Sequence, residues 1–195
     1  MAMLTLEDWR AWHGETFPLG SWRTFEGGFE AMAGAPRIDL VSRATYRNFI
    51  FRFEFSLPVA GNSGVLYRVD ESAALSWHSG PEMQLLDDRA HPDGREPTTR
   101  NGALYGLLRP EFETPIEPDR FIEGALILRD GEVEHWLCGQ RVLRYRLDDP
   151  AVRERIAASK FRDHPGFANA ERGHIVLQHH GEAVRFRRLS LEAPD

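Results

Sequence analysis

From Asn48 to Phe55 the chain alternates, with Phe49, Phe51, Phe53 and Phe55 at one set of positions and Ile50, Arg52 and Glu54 between them. A period of two puts the four rings on one face of a strand, whereas a helix would scatter them around its axis. The same alternation returns in Ser63 to Val69, Glu82 to Leu85, Ala125 to Leu128, Glu132 to Leu137 and Ile175 to Gln178. Prolines and glycines punctuate these runs, and no internal repeat appears. Many short strands separated by turns predict an all-β sandwich of two antiparallel sheets. Its interior is expected to hold Phe49, Phe51, Val65, Tyr67, Leu85 and Leu177.

Turn chemistry adds detail. Asp130-Gly131 and Cys138-Gly139 each separate two runs, so residues 125–146 read as a three-strand meander. One short peripheral helix is expected from Ala151 to Lys160, because Asp149 can cap it, Pro150 suits its first position, and Val152, Ile156 and Ala157 share a side. The polar stretch from Asp87 to Gly102 is too long for a tight hairpin and reads as a functional loop at the rim of a site.

The 195 residues, 42% hydrophobic and 28% charged, suit one domain spanning 1–195. A formal charge of -6 provides no footprint for a nucleic-acid backbone, and no basic cluster marks a membrane surface. Cys138 is the only cysteine, so no intrachain disulfide can form. Without Lys, Arg or His directly beside it, a structural thiol is expected there and not a nucleophile. Met1 to Trp12 lacks the basic segment and apolar run of a secretory signal, which makes a cytoplasmic protein the expectation. The oligomeric state is left open.

Side-chain parity then points to a polar face. Glu82 and Gln84 share one side of their strand, Met83 and Leu85 the other; Asn62 pairs with Arg68, and Gln178 with His180. A lone carboxylate on a strand is more often simply solvated, but several strands here offer amide, guanidinium, imidazole and carboxyl groups together. Sugar hydroxyls, each donor and acceptor at once, are recognised by such groups, with aromatic rings over the C–H faces. Trp77, Tyr105 and Trp136 are available for that role, although core packing is the commoner fate of any single ring. His179 and His180 must face opposite ways on a strand, so only one can serve the site; His180 is in phase with Gln178. Glu82, Asp87, Asp88 and His180 form no compact ligand motif, and no metal or other cofactor is expected. No phosphate loop, nucleophile elbow or zinc-binding helix signature is present.

Taken in order, Asn62-Ser63-Gly64-Val65, Tyr67-Arg68, Gly80 to Asp88, Gly102 to Gly106, Gly173 to Gln178 with His180-Gly181, and Val184 to Arg187 resemble the 3-keto-disaccharide hydrolase family. The resemblance runs from about Trp22 to Leu191. It implies a concanavalin A-like jelly roll, related to lectins and laminarinase-type glucanases, acting on glycosides oxidised at carbon three. The family usually has Asp at His179, Asn at Cys138 and Arg188, and a Trp-Asn pair near Arg120-Phe121.

That chemistry suits the residues. A ketone at carbon three acidifies the hydrogen at carbon two, so a base can remove it while the glycosidic oxygen leaves carbon one and water adds back. Glu82 and His180 are the expected catalytic pair, with acid and base roles left open. Asn62, Arg68, Gln84, Asp87, Tyr105, His135, Gln178 and Arg185 are the expected substrate-binding residues around a small carbohydrate. Two alternatives stand beside this reading: a two-carboxylate glycoside hydrolase using Glu82 and Asp87, and a carbohydrate-binding module without catalysis.

Overall fold

A computed structural model describes residues 1–193 of the chain. Thirteen strands and one helix run in the order β1 (Ala2–Met3), β2 (Trp9–Ala11), β3 (Trp22–Phe25), β4 (Gly28–Ala31), β5 (Leu40–Ser42), β6 (Phe49–Ser56), β7 (Asn62–Val69), β8 (Glu82–Leu86), β9 (Ile122–Arg129), β10 (Glu132–Leu137), β11 (Gln140–Arg146), α1 (Pro150–Ala158), β12 (His174–Leu177) and β13 (Arg185–Glu192). They form two antiparallel sheets. The larger follows the order β11-β10-β9-β6-β13-β4-β3, with β1 also on β13, and the smaller follows β2-β5-β12-β7-β8.

The phenylalanine run of β6 lies near the middle of the larger sheet and supplies its inner face. Phe49, Phe51, Val65, Tyr67, Leu85 and Leu177 are all at most 1% exposed, as the alternation predicts. Burying each such side chain is worth roughly 1.5–3 kcal/mol, which makes the facing sheets mutually dependent. The outer face of the smaller sheet carries a second cluster of Val41, Leu66, Val69 and Val176, with Trp12 and Trp77 packed against it. This cover leaves only part of that face open.

The expected meander is β9-β10-β11, with both turns made by a residue of positive φ followed by glycine: Asp130 and Gly131, then Cys138 and Gly139. The helix ends at Ala158, where Ser159 takes extended backbone and starts a 3-10 turn over Lys160–Asp163. Val152 and Ile156 are buried, but Ala157 is exposed: at 100° per residue it has rotated off the packed stripe. Among the described residues no helix is long and apolar enough to cross a membrane.

Two bulges break strict alternation. Arg68 has φ 51° on β7, and Arg188 has φ 52° on β13, each where the pairing register shifts. A bulge inserts one residue and reverses the parity beyond it. Val69 therefore joins Leu66 on the outer face, although unbroken alternation from Ser63 would give it the parity of Val65 and Tyr67.

Candidate functional site

The uncovered part of the smaller sheet's outer face is a pocket of about 260 Å³. Asn62 on β7, Glu82 and Gln84 on β8, and Gln178 and His180 just beyond β12 supply its polar groups. Trp77, Tyr105 and Phe161 supply aromatic walls, and Asp93 and Lys160 complete the lining. The volume sits at the small end of ligand pockets and suits a single hydrophilic ring.

Backbone pairing explains the convergence. The Gln178 N–H donates to the Gly64 carbonyl at 3.0 Å, and Ser63 Oγ donates to the Gln178 carbonyl at 2.8 Å, which carries the β12 ladder one step past its end. On the other side, residues 102–105 run along β8: Gly102 N–H donates to Gln84 O at 2.8 Å, Gln84 N–H to Ala103 O at 3.0 Å, and Tyr105 N–H to Glu82 O at 3.0 Å. The rim loop thus returns to the sheet edge and sets Tyr105 beside Glu82. Its 3-10 turn over Pro92–Arg95 brings Asp93 to the pocket.

Among the pocket's own groups Glu82 is the most perturbed. It is only 7% exposed, and a Cβ on Gly64 would lie 2.0 Å from Glu82 Oε1, so the carboxyl rests directly on the Gly64 backbone. Burial, helped by the nearby Asp39 carboxylate, pushes its pKa up to about 8, while Lys160 opposes the rise. At neutral pH Glu82 is mainly protonated. Tyr105 is also raised, first by burial and then by Glu82.

Around this acid the amides are unsatisfied. Both Gln84 side-chain polar atoms and Asn62 Oδ1 are buried without a partner, and both residues are at most 3% exposed. Buried polar groups are rarely left so, and the open pocket is where their partners belong. Lys160 Nζ stands 5.0 Å from the Trp77 ring centroid and 4.6 Å from that of Tyr105. It is the chain's single lysine.

His180 presents its ring to the same space. Nδ1 lies 3.0 Å from Glu182 Oε2, an arrangement in which Nδ1–H donates to the carboxylate and Nε2 is the ring nitrogen left for the pocket. Glu182 thereby orients His180 in a chain that has His179 where the family usually has Asp. The His179 ring turns the opposite way, 2% exposed and edge-on to Trp22, while the His179 backbone N–H donates to Asp39 Oδ1 at 2.8 Å. Asp39 also accepts from Ser76 Oγ at 2.6 Å and ties β5 to the strands of the pocket.

Four expected binding residues lie elsewhere. Arg68 is turned by its bulge into a different cavity at the end of the sandwich. Asp87 is spent on backbone, accepting from Ala60 N–H at 2.9 Å and Arg89 N–H at 3.3 Å, which closes the turn before β7. His135 points inward, fully buried, because odd positions of β10 face the core. Its Nδ1 lies 2.9 Å from Gly102 O and its Nε2 2.9 Å from Tyr145 Oη, which in turn contacts Tyr67 Oη. Arg185, on the larger sheet, pairs with Asp119 at 3.3 Å and lies over Phe121. Trp136 belongs to the outer face of that same sheet, its Nε1 donating to Glu134. Conversely, Asp39, Lys160, Phe161 and Glu182 had no sequence signal, since each comes from a loop or turn with no periodic partner, and Asp93 was marked only as part of the rim loop.

Residues 4–192 match the 3-keto-alpha-glucoside-1,2-lyase-like domain family. The chain belongs to that family. A 3-keto-disaccharide hydrolase of Bacteroides thetaiotaomicron is similar at 27% identity over 194 residues, covering 87% of this chain and 66% of the relative's own length. A crystal structure from Parabacteroides distasonis, described as a glycosyl hydrolase, superposes with TM-score 0.88 at 25% identity, covering 96% of this chain and 89% of that one. The laminarinase of Rhodothermus marinus shares the fold, with TM-score 0.59 at 13% identity over 98% of this chain and 92% of its own. The lyase-like domain is therefore a concanavalin A-like jelly roll.

Proposed function

We propose that this lyase-like domain is a hydrolase that cleaves 3-keto-glycosides by elimination across carbons one and two followed by hydration. The observation that carries the reading is the buried Glu82 carboxyl, held mainly protonated at neutral pH on the floor of a polar pocket that it shares with the oriented imidazole of His180. A carboxyl kept protonated by burial beside an imidazole oriented by a carboxylate supplies the acid and the base that an elimination needs. A module that only binds sugar has no use for a desolvated acid.

In this scheme His180 Nε2 removes the hydrogen at carbon two, and the electron pair moves onto the carbon-three ketone oxygen. Lys160 and the unpaired amides of Gln84 and Asn62 stabilise that oxygen as charge develops. Glu82 gives its proton to the departing glycosidic oxygen, and the aglycone leaves carbon one. Water then adds at carbon one while carbon two regains a proton, returning both groups to their starting states. Gln178 orients the ring, with Trp77 and Tyr105 against its C–H faces. The two-carboxylate alternative built on Asp87 loses its second acid, because Asp87 is committed to the Ala60 and Arg89 amides.

The test is turnover of a 3-keto-glucoside in deuterated water. The product should carry deuterium at carbon two, and the unoxidised glucoside should remain intact. Glu82→Gln and His180→Ala should each lower turnover by ~10²- to 10⁴-fold with the melting temperature retained or raised. Product without deuterium at carbon two, or equal cleavage of the unoxidised glucoside, overturns the mechanism.

A further inference from the structure

A second polar cavity, of about 370 Å³, opens where the β9–β10 turn, the end of β11, α1 and the segment before β12 meet. Arg47, Arg68, Arg146 and Arg153 line it together with Asp130, Asp148 and Glu171. How the carboxylates are engaged decides which arginines remain free. Asp148 is taken by Arg146 through two contacts of 2.9 Å. Asp130 accepts from the Asn48 amide at 3.3 Å. Glu171 reaches only Arg47, at 3.8 Å between two largely exposed side chains, a pairing that neutralises little.

Two guanidinium groups are left. Arg153 donates to Asn169 Oδ1 at 3.0 Å and to the Ala168 carbonyl at 3.3 Å, neutral acceptors that fix its plane without cancelling its charge. Arg68 has no carboxylate partner among the described residues, and its Nε is buried and unsatisfied. Desolvation presses on its charge and Arg47 adds to the pressure, while Tyr67, Glu171 and Asp148 relieve part of it without a direct hydrogen bond from either carboxylate. Its backbone is also held left-handed, at φ 51°, by close packing: a Cβ on Gly173 would come within 2.4 Å of the Arg68 carbonyl carbon. A strained residue that holds a cation without a directly paired carboxylate at the wall of a cavity is the arrangement of a ligand clamp.

We propose that this cavity binds a phosphate group, held by Arg68 and Arg153 with Arg47 at its edge. Guanidinium groups recognise tetrahedral oxyanions through paired, charge-assisted N–H donors. The cavity has the volume of about a dozen waters at ~30 Å³ each, which leaves room for a sugar ring attached to the phosphate. Arg68 stands two positions along β7 from Leu66, the register partner of Glu82, but this cavity and the sugar pocket share no lining residue.

The experiment is calorimetric titration and thermal unfolding of the whole chain with inorganic phosphate at constant ionic strength, repeated with glucose 6-phosphate. Saturable binding with a melting rise of several degrees is expected. Tighter binding of glucose 6-phosphate identifies a phosphorylated sugar as the occupant, and equal binding identifies the free ion. Arg68→Asn, which keeps a residue tolerant of left-handed backbone, should weaken binding about tenfold or more. Arg153→Gln, outside the bulge, should do the same with the melting temperature of the free protein unchanged. Absence of saturable binding up to about 10 mM phosphate, or unchanged affinity in both variants, overturns the proposal.

Discussion

Replacing Gly64 by Ala puts one methyl group where the Glu82 carboxyl now rests. The new Cβ would stand 2.0 Å from Oε1, 2.6 Å from Cδ and 2.7 Å from Cγ, all far inside van der Waals contact. Gly64 is not among the residues of positive φ, so its backbone accepts an L side chain and the clash must be relieved by Glu82. Overpacking of this kind costs about 1–3 kcal/mol, and the more restricted unfolded chain returns about 0.5–1 kcal/mol. The net loss, roughly 0–2.5 kcal/mol, lowers the melting temperature of a domain this size by at most ~10 °C. The kinetic effect is larger: misplacing a proton-transfer group by about 1 Å costs ~10²-fold in turnover. A displaced, better hydrated carboxyl also loses part of the burial that raises it to about 8, so the alkaline limb of the pH-rate profile should move to lower pH. Steady-state turnover of a 3-keto-glucoside from pH 5 to 10, beside thermal unfolding, reads all three quantities. Wild-type turnover with an unmoved alkaline limb in a folded Gly64→Ala protein would refute the argument that Glu82 acts from its seat on Gly64.

Glu82→Gln should stabilise the fold in a pH-dependent way. Its folded pKa of about 8 lies above the ordinary 4.5, so the folded state holds a proton that the unfolded state releases, and stability falls as pH rises from 4.5 to 8; the Gln variant escapes this loss and should gain on the order of 4 kcal/mol by pH 8, measured by urea unfolding. His135→Phe leaves the Gly102 carbonyl without its side-chain partner and the Tyr145 hydroxyl with Tyr67 alone and should cost about 1–3 kcal/mol. Burial lowers His135 to about 4, so wild-type stability should decline as pH drops from 6.5 towards 4, and the Phe variant should lose that component. Cys138 sits at φ 50° in the β10–β11 turn, where burial and Glu123 raise its thiol. Cys138→Asn should keep full turnover and melt at or slightly above wild type, because Asn tolerates left-handed backbone; loss of turnover would show a role for the thiol.

The alternation of Phe49 to Phe55, the turns at Asp130-Gly131 and Cys138-Gly139, and the capped start of α1 were legible because each depends on residues within a few positions of one another. The short strands β1 to β5 were not: at two to four residues each, they carry too few alternations to stand out. Within the site, Asn62, Glu82, Gln84, Gln178 and His180 share one pocket as parity along unbroken strands suggests. Parity misplaced Arg68 and Val69, because a bulge depends on what packs behind the strand, here Gly173 against Arg68. On β10 parity sets His135 on the inward side with Val133 and Leu137, but it could not show the Tyr145 hydroxyl that His135 meets there, or that Asp87 is consumed by two backbone amides.

By itself, then, the sequence determined the class of fold, the two-sidedness of its strands and the chemical character of the pocket's polar face. Only the tertiary structure decided that Glu82 is protonated near neutral pH, that Lys160 and Glu182 reach the same pocket, and that Arg68 belongs to another. The physical reason is range. Strand pleat and turn conformation are set by bonds and neighbours along the chain, whereas desolvation and Coulomb interaction depend on groups that meet only when the sheets pack, such as Asp39, Gly64, Glu82 and Lys160.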